Sequence, residues 1–250
     1  MDCRIMIYQS FAELYDQLFD EDEYQNWFEY TQKEVDLSHK NNWLELACGA
    51  GRLVVQLAQH GQIVTGFDLS EEMLALAEQH TRDAEVAAEL IQGNMLDLSE
   101  LEQFDVVSCY ADSFCYLPDE EQVLQSFSEV YEHLKSGGQF IFDVITPYQT
   151  GVVYPGYMFN YQDDRQAFIW SSFEGEDKYH VEHDLTFFTK ANDDELFRRT
   201  EETHFERTYE LETYVKLLEK AGFSKIKYYA DYGKAEVDEK TTRWFFSCRR

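Results

Sequence analysis

The chain is short of several things. Only 3 of its 250 residues are proline, and no glycine/serine, proline or glutamine tract breaks it, so neither a flexible linker nor a disordered arm is expected. No internal repeat is found. No apolar run approaches the roughly 20 residues that a membrane helix needs. The first residues, "MDCRIMIYQSF", carry too short an apolar stretch and no small-residue cleavage site, so they do not read as a secretory leader. Cysteines number five (Cys3, Cys48, Cys109, Cys115, Cys248), scattered and without a CxxC pair. That excludes a disulfide framework and gives no zinc pattern, so no metal is expected. The reading is a soluble, cytoplasmic protein with reduced, mostly buried thiols.

Basic residues are scarce as well: 21 lysines and arginines stand against 49 acids, a net charge of −28. The deficit is uneven, with 29 acids and 6 bases in residues 1–150 and 20 acids and 15 bases in residues 151–250. The first part would repel a nucleic-acid backbone, which disfavours DNA and RNA as partners. What is plentiful is apolar and aromatic side chain, at 44% and 16% of residues, ample for a packed core.

The apolar pattern alternates. "SFAELYDQLFD" and "EYQNWFEYTQKEV" have helical spacing, the first with Ser10 as N-cap. "NWLELAC" is a short apolar strand, and "GRLVVQLAQHG" a helix stopping at Gly61. "IVTGFDLS" is a strand, after which Ser70 caps "EEMLALAEQH", whose Glu71 and Glu72 suit the positive end of the helix dipole. "AAELIQG" and "FDVVSCY" are strands, "DEEQVLQSFSEVYEHLK" is a helix closing at Gly137 and Gly138, and "GQFIFDVI" is another strand. Strands separated by helices of this length predict βαβ units and a parallel sheet covered on both faces.

After Pro147 the rhythm changes to "QAFIWSSF", "KYHVEHDLTFFTK" and "ELFRRTEETHFERTYE", strand-like and separated by the turns "EGED" and "ANDDE". A small antiparallel sheet inserted as a lobe is expected. The helix "LETYVKLLEKAGF" and two strands, "SKIKYYADY" and "TTRWFFSCRR", follow, the strands antiparallel to each other. The expected division is a core of 1–146 and 208–250 and a lobe of 147–207.

Chemistry concentrates at "LELACGAGRL", residues 44–53, where Ala47, Gly49 and Gly51 keep side chains away from the backbone. In an open α/β sheet, ligands sit beyond the carboxyl ends of the strands, where this first strand-to-helix turn lies. Asp68 ends the next strand, where an acid can accept both hydroxyls of a ribose. A dinucleotide and S-adenosylmethionine (SAM) both satisfy this geometry. The third glycine of the dinucleotide fingerprint is absent after Gly51. Glu45 would repel a pyrophosphate but attract the cationic amino group of methionine, which favours SAM.

Taken with "VTGFDLSEEMLALA", "LIQGNMLDL", "FDVVSCYADSFCYL" and "LKSGGQFIFDV", the turn resembles, in order and spacing, the successive motifs of class I SAM-dependent methyltransferases. The match is nearest to small bacterial enzymes that open with an F-A-x-x-Y-D-x-L helix and carry a β-rich lobe after the fifth strand. The resemblance implies an α/β, Rossmann-like seven-stranded sheet of order 3-2-1-4-5-7-6 with strand seven antiparallel. It implies that Gly49 and Gly51 line the methionine part, with Ala47 in the place of the commoner first glycine, and that Glu45 holds the amino group. It gives Asp68 the ribose, Leu69 an adenine face, Asn94 the adenine amine in place of the usual aspartate, and Met95 a backbone N–H to the ring. Tyr110 and Ala111 would flank the methionine end, and Tyr15 would contact the cofactor from an N-terminal lid helix. The product would be S-adenosylhomocysteine.

Methyl transfer from an activated sulfonium chiefly needs alignment, and a base only where the acceptor is protonated. "YADSFCY" follows the fourth strand and lacks the prolines of nucleobase-amino or glutamine methylating enzymes. Asp112 is a candidate to orient or deprotonate the acceptor, or else a loop carboxylate capping a turn, and Tyr116 either lines the pocket or simply packs; the acceptor is expected to be a small molecule. His180, His183 and His204 show no metal-like spacing, and His183 and His204 are read as plain strand residues. The aromatics Tyr154, Tyr157, Phe159 and Tyr161 suit either an acceptor wall or a homodimer contact through the lobe. A SAM-binding module without turnover, or an NAD-dependent enzyme, remains open to the residues alone.

Overall fold

The computed structural model describes residues 21–190 and 196–250. The first expected helix, with Tyr15, and the turn at 191–195 lie outside them. The described chain opens with helix α1 (Glu21–Glu34). Strand β1 (Asn42–Leu46), helix α2 (Arg52–Gln59), strand β2 (Ile63–Asp68), helix α3 (Glu71–Asp83) and strand β3 (Glu89–Gln92) follow. Next come β4 (Phe104–Cys109), a short 3₁₀ turn at Ser113–Tyr116, α4 (Glu120–His133) and β5 (Leu134–Ile145). The lobe strands are β6 (Met158–Gln162), β7 (Gln166–Glu174), β8 (His180–Lys190) and β9 (Phe197–Arg207). Helix α5 (Leu211–Ala221), β10 (Ser224–Tyr229) and β11 (Arg243–Arg249) complete the chain.

Seven strands form one sheet in the order β10-β11-β5-β4-β1-β2-β3. The first five strands of the chain run parallel, whereas β11 is antiparallel to both β5 and β10. This is the Rossmann-like order 3-2-1-4-5-7-6. Helices cover both faces, so the central strands are buried on both sides and read as near-continuous apolar runs. Trp43, Leu44 and Leu46 of β1 and Phe140, Ile141 and Phe142 of β5 are almost wholly inaccessible. Each such side chain contributes about 1.5–3 kcal/mol on burial. Local signals agree with this packing. Ser70 accepts from the Met73 N–H at 3.2 Å to start α3, and Asp119 accepts from the Gln122 N–H at 2.8 Å to start α4.

Two expectations are corrected. Helix α4 stops at His133, and Gly137 and Gly138 lie within β5 instead of closing the helix. They serve an irregularity in the strand. Gly137 has φ 79°, and a Cβ on Gly138 would come within 2.8 Å of the Lys135 carbonyl oxygen. The lobe sheet has four strands, β6-β7-β8-β9, all antiparallel, not three. The added β6 is an edge strand of five residues, exposed at every one, and its Phe159-Asn160-Tyr161-Gln162 alternation is too brief to stand out.

The lobe has a small apolar core of its own, Phe168, Leu185 and Phe187. Its inner face is set by register. Ser172 lies opposite His183, and Trp170 opposite Leu185. His183 lies opposite His204, and Val181 opposite Glu206. Directly paired residues share a face, so these side chains all look the same way.

Candidate active site

The turn after β1 is a run of left-handed backbone: Ala47 at φ 54°, Gly49 at 51° and Gly51 at 73°. The small residues differ in purpose. A Cβ on Gly51 would lie 2.6 Å from the Cβ of Ala77, so that glycine lets α2 and α3 approach. A Cβ on Gly49 would meet nothing within 4 Å, so that side of the turn is open space. Ala47 holds a conformation that costs an L-residue roughly 1–2 kcal/mol.

Asp68 ties this turn to the next strand. One of its oxygens accepts the Gly49 N–H at 2.7 Å, and the other accepts the Ser70 N–H at 2.9 Å. Burial pushes its carboxyl upward, against those N–H groups. Leu69, 68% exposed, stands beside it as a bare apolar side chain. Asn94 is exposed, its side-chain oxygen accepting the Leu96 N–H at 3.0 Å, and Met95 is half-buried against the core.

Glu45 lies beneath the turn and is nearly fully buried. The Ser108 hydroxyl donates to it, and Ser108 in turn accepts from the Trp43 indole at 2.6 Å. Burial lifts the Glu45 carboxyl to about 8. A buried acid of this kind is primed for a cationic partner, whose arrival would favour its charged form.

At the end of β4 the backbone is again left-handed at two successive residues, Ala111 (φ 56°) and Asp112 (φ 50°). Strain of this sort persists only where surroundings hold it. Here the Asp112 N–H donates to Asp143 at 2.8 Å, and Arg243 grips Asp112 at 2.7 Å and Asp143 at 3.2 Å. The Trp27 indole donates to the other oxygen of Asp143 at 2.7 Å. Burial pushes Asp112 up, with Arg243 opposing and the Glu206 and Asp143 charges adding to the rise. Asp143 also rises through burial, again opposed chiefly by Arg243.

Trp27, Ala111, Asp112 and Arg243 form one wall of a cavity of about 690 Å³ between the sheet edge and the lobe, with the buried Asp143 held behind them. That volume lies within the range of small-molecule sites. Tyr154, Tyr157, Phe159, Phe168 and Trp170 supply an aromatic side, and His183, His204 and Glu206 project from β8 and β9.

Of the residues singled out from sequence, Ala111, Asp112 and Tyr116 line this cavity. The Tyr116 hydroxyl lies 3.3 Å from Nδ1 of His204. Ala47, Gly49 and Asp68 are brought together at the neighbouring turn. Tyr110 differs: its ring is buried under α1, stacked on Trp27, with its hydroxyl 2.8 Å from that of Thr31. His183 and His204 are more than plain strand residues, since both face the cavity. Arg243, Asp143 and Glu206 escaped the sequence reading. The available signal was His183, a polar residue on the otherwise apolar alternate positions Val181, Leu185 and Phe187.

The sheet order, the small-residue turn and the acid ending β2 define a nucleoside-binding α/β enzyme class. A sequence family described as a methyltransferase domain matches residues 44–138. "Putative methyltransferase GWCH70_2453" of Geobacillus sp. (strain WCH70) is 37% identical over 98% of this chain and 100% of its own. "Putative methyltransferase YqeM" of Bacillus subtilis (strain 168) is 36% identical over 98% of each chain. The crystal structure of a SAM-dependent methyltransferase from Clostridium acetobutylicum superimposes with a TM-score of 0.84, at 30% identity, covering 97% of this chain and 98% of that one. The chain belongs to the class I SAM-dependent methyltransferases. Within that class it is similar over nearly its full length to the Geobacillus and Bacillus proteins.

The residues present fit SAM. The open backbone at Gly49, the exposed face of Leu69 and the buried acid Glu45 correspond to a ligand with a flat base and a cationic end. Bound SAM supplies a methyl group on a positively charged sulfur. No helix among the described residues is long and apolar enough to cross a membrane.

Proposed function

We propose that this methyltransferase acts on a small-molecule acceptor held in the cavity between the carboxyl edge of the main sheet and the lobe. The observation that carries the reading is the position of that cavity. Its floor is Ala111 and Asp112, directly after β4, and its roof is the inner face of the four-stranded sheet. The division of labour is then a core of 1–146 and 208–250 that holds SAM and a lobe of 147–207 that shapes the acceptor side.

In this reading Gly49 and Glu45 serve the methionine end, with Gly51 setting the turn and Ala47 its entry. Asp68 takes the ribose hydroxyls while keeping its two backbone bonds, since each carboxylate oxygen accepts more than one donor. Leu69, Asn94 and Met95 border the adenine. Tyr110 contributes through backbone, with Ala111 beside the sulfonium. Tyr15 lies outside the described residues, and its contact rests on the family resemblance. Asp112 and Tyr116 face the acceptor. The four described cysteines are free and buried, as suits a protein working in the cytoplasm.

The test is a screen for transfer of labelled methyl from SAM to metabolite extracts, protein and RNA. Label entering the small-molecule fraction is expected; label entering only RNA or protein would overturn the reading. Asp68→Ala checks the donor side. It is expected to weaken SAM binding in calorimetric titration by about 1–3 kcal/mol, the range of bonds to a charged acceptor.

A further inference from the structure

His183 and Glu206 are deeply buried, at 2% and 6% exposure, yet each ends in an atom without a hydrogen-bond partner. Those atoms, His183 Nε2 and Glu206 Oε2, lie 3.6 Å apart, and both residues line the cavity. Buried polar groups are normally satisfied, and leaving them bare costs about 1–3 kcal/mol each. The gap is beyond a direct hydrogen bond.

The protonation of the imidazole follows from its other side. The Trp170 indole donates to His183 Nδ1 at 3.1 Å, and the Ser172 hydroxyl lies 2.7 Å from the same nitrogen. An indole N–H can only donate. Nδ1 therefore carries a lone pair, which leaves the ring N–H on Nε2, beside Glu206. One atom completing both groups must accept from His183 and donate to Glu206.

A hydroxyl does this and keeps a second lone pair free for attack. A neutral amine also donates and accepts, but its single lone pair would be tied to His183. An ammonium has no lone pair at all. An anionic acceptor would meet Asp112 and Glu206 in the lining, with Arg243 already spanned by Asp112 and Asp143 and the lining's one lysine, Lys240, exposed to solvent. The aromatic side of the cavity, with Tyr154 standing 4.7 Å from the His183 ring and Tyr157 5.4 Å from Trp170, suits a flat ring. A phenol, whose pKa is about 10, gives up its proton far more readily than an aliphatic alcohol as the methyl group is transferred.

Resting on the small-molecule reading above, we infer that His183 and Glu206 seat the acceptor by a phenolic hydroxyl, and that Glu206 takes its proton. The C–O bond forms as the methyl–sulfur bond breaks. The phenolic proton passes to Glu206, and the sulfonium becomes a neutral thioether. Glu206 then returns the proton to solvent, leaving an aryl methyl ether.

The probes are naphthol, methoxynaphthalene, naphthylamine and naphthoate, titrated by calorimetry and ligand-observed NMR into protein saturated with S-adenosylhomocysteine. Naphthol is expected to bind about 10-fold more tightly than methoxynaphthalene or naphthylamine, the worth of one to two bonds at a buried site. Naphthoate is expected to bind least. In Glu206→Leu the preference for naphthol should vanish while S-adenosylhomocysteine affinity is unchanged, and Glu206→Gln should retain part of it. Equal binding of naphthol and its methyl ether by the wild type, preference for the amine or the acid, or a preference surviving in Glu206→Leu would each overturn the inference. The wild-type comparison decides even if a variant fails to fold. Failure of S-adenosylhomocysteine itself to bind would instead strike the methyl-transfer reading.

Discussion

Between Glu45 and Asp68 the chain makes one β-α-β unit, and almost everything proposed to hold the donor lies within it or just after β3. The cavity proposed to take the acceptor is assembled from α1, the loop after β4, the end of β5, the lobe and the start of β11. The contrast teaches how the two halves respond to change. The donor side depends on backbone shape, because its glycines and Asp68 fix N–H groups and open a groove. The acceptor side depends on side-chain charge, because three carboxylates and one guanidinium share a buried wall.

The sharpest way to break the comparison is at Arg243. Arg243→Leu leaves Asp112 and Asp143 buried without their counter-charge, and is expected to cost about 3–5 kcal/mol in denaturant unfolding. A loss under 1 kcal/mol would mean that the wall does not rely on that ion pair. Next in size is Gly51→Val, which drives a side chain into Ala77 at a positive φ. It is expected to cost roughly 2–4 kcal/mol of stability. Gly49→Ala, opening onto free space, should cost only the backbone part, about 1–2 kcal/mol, while weakening SAM binding more than its stability loss suggests. Equal stability losses at the two glycines would erase the distinction drawn between them.

An effect of similar size concerns pH. The native state holds the Glu45 proton up to about 8, whereas an unfolded glutamate releases it near 4.3. The native state thus binds more protons in that window, and stability falls as pH rises through it. Glu45→Gln should remove that slope and raise stability at pH 8 by about 1–3 kcal/mol, while weakening the hold on a cationic ligand. A flat stability profile in the wild type between pH 5 and 8 would sink this account.

Legibility followed the same divide. The strand and helix order, the Ser70 cap and the antiparallel last strand were readable because burial on both faces, capping and turn chemistry are local signals. Gly137 and Gly138 misled, since a glycine pair after a helical run reads alike whether it stops the helix or eases a strand irregularity. Strand β6 was hidden by its brevity. Tyr110 was singled out by the family pattern, but the stacking of its ring on Trp27 and its contact with Thr31 were not legible, since Thr31 lies 79 positions away in the chain. Arg243 was out of reach because it lies 131 positions from Asp112 in the chain.

By itself the sequence determined the layered α/β core and the donor turn, because both arise from periodicity and from residues a few positions apart. Only the tertiary structure decided the acceptor wall. An antiparallel β11 brings its amino end to the carboxyl edge of β5, where Arg243 pairs with Ile145. The lobe register turns His183 and Glu206 to the inner face. No local rule encodes which distant charges will share a space that excludes water.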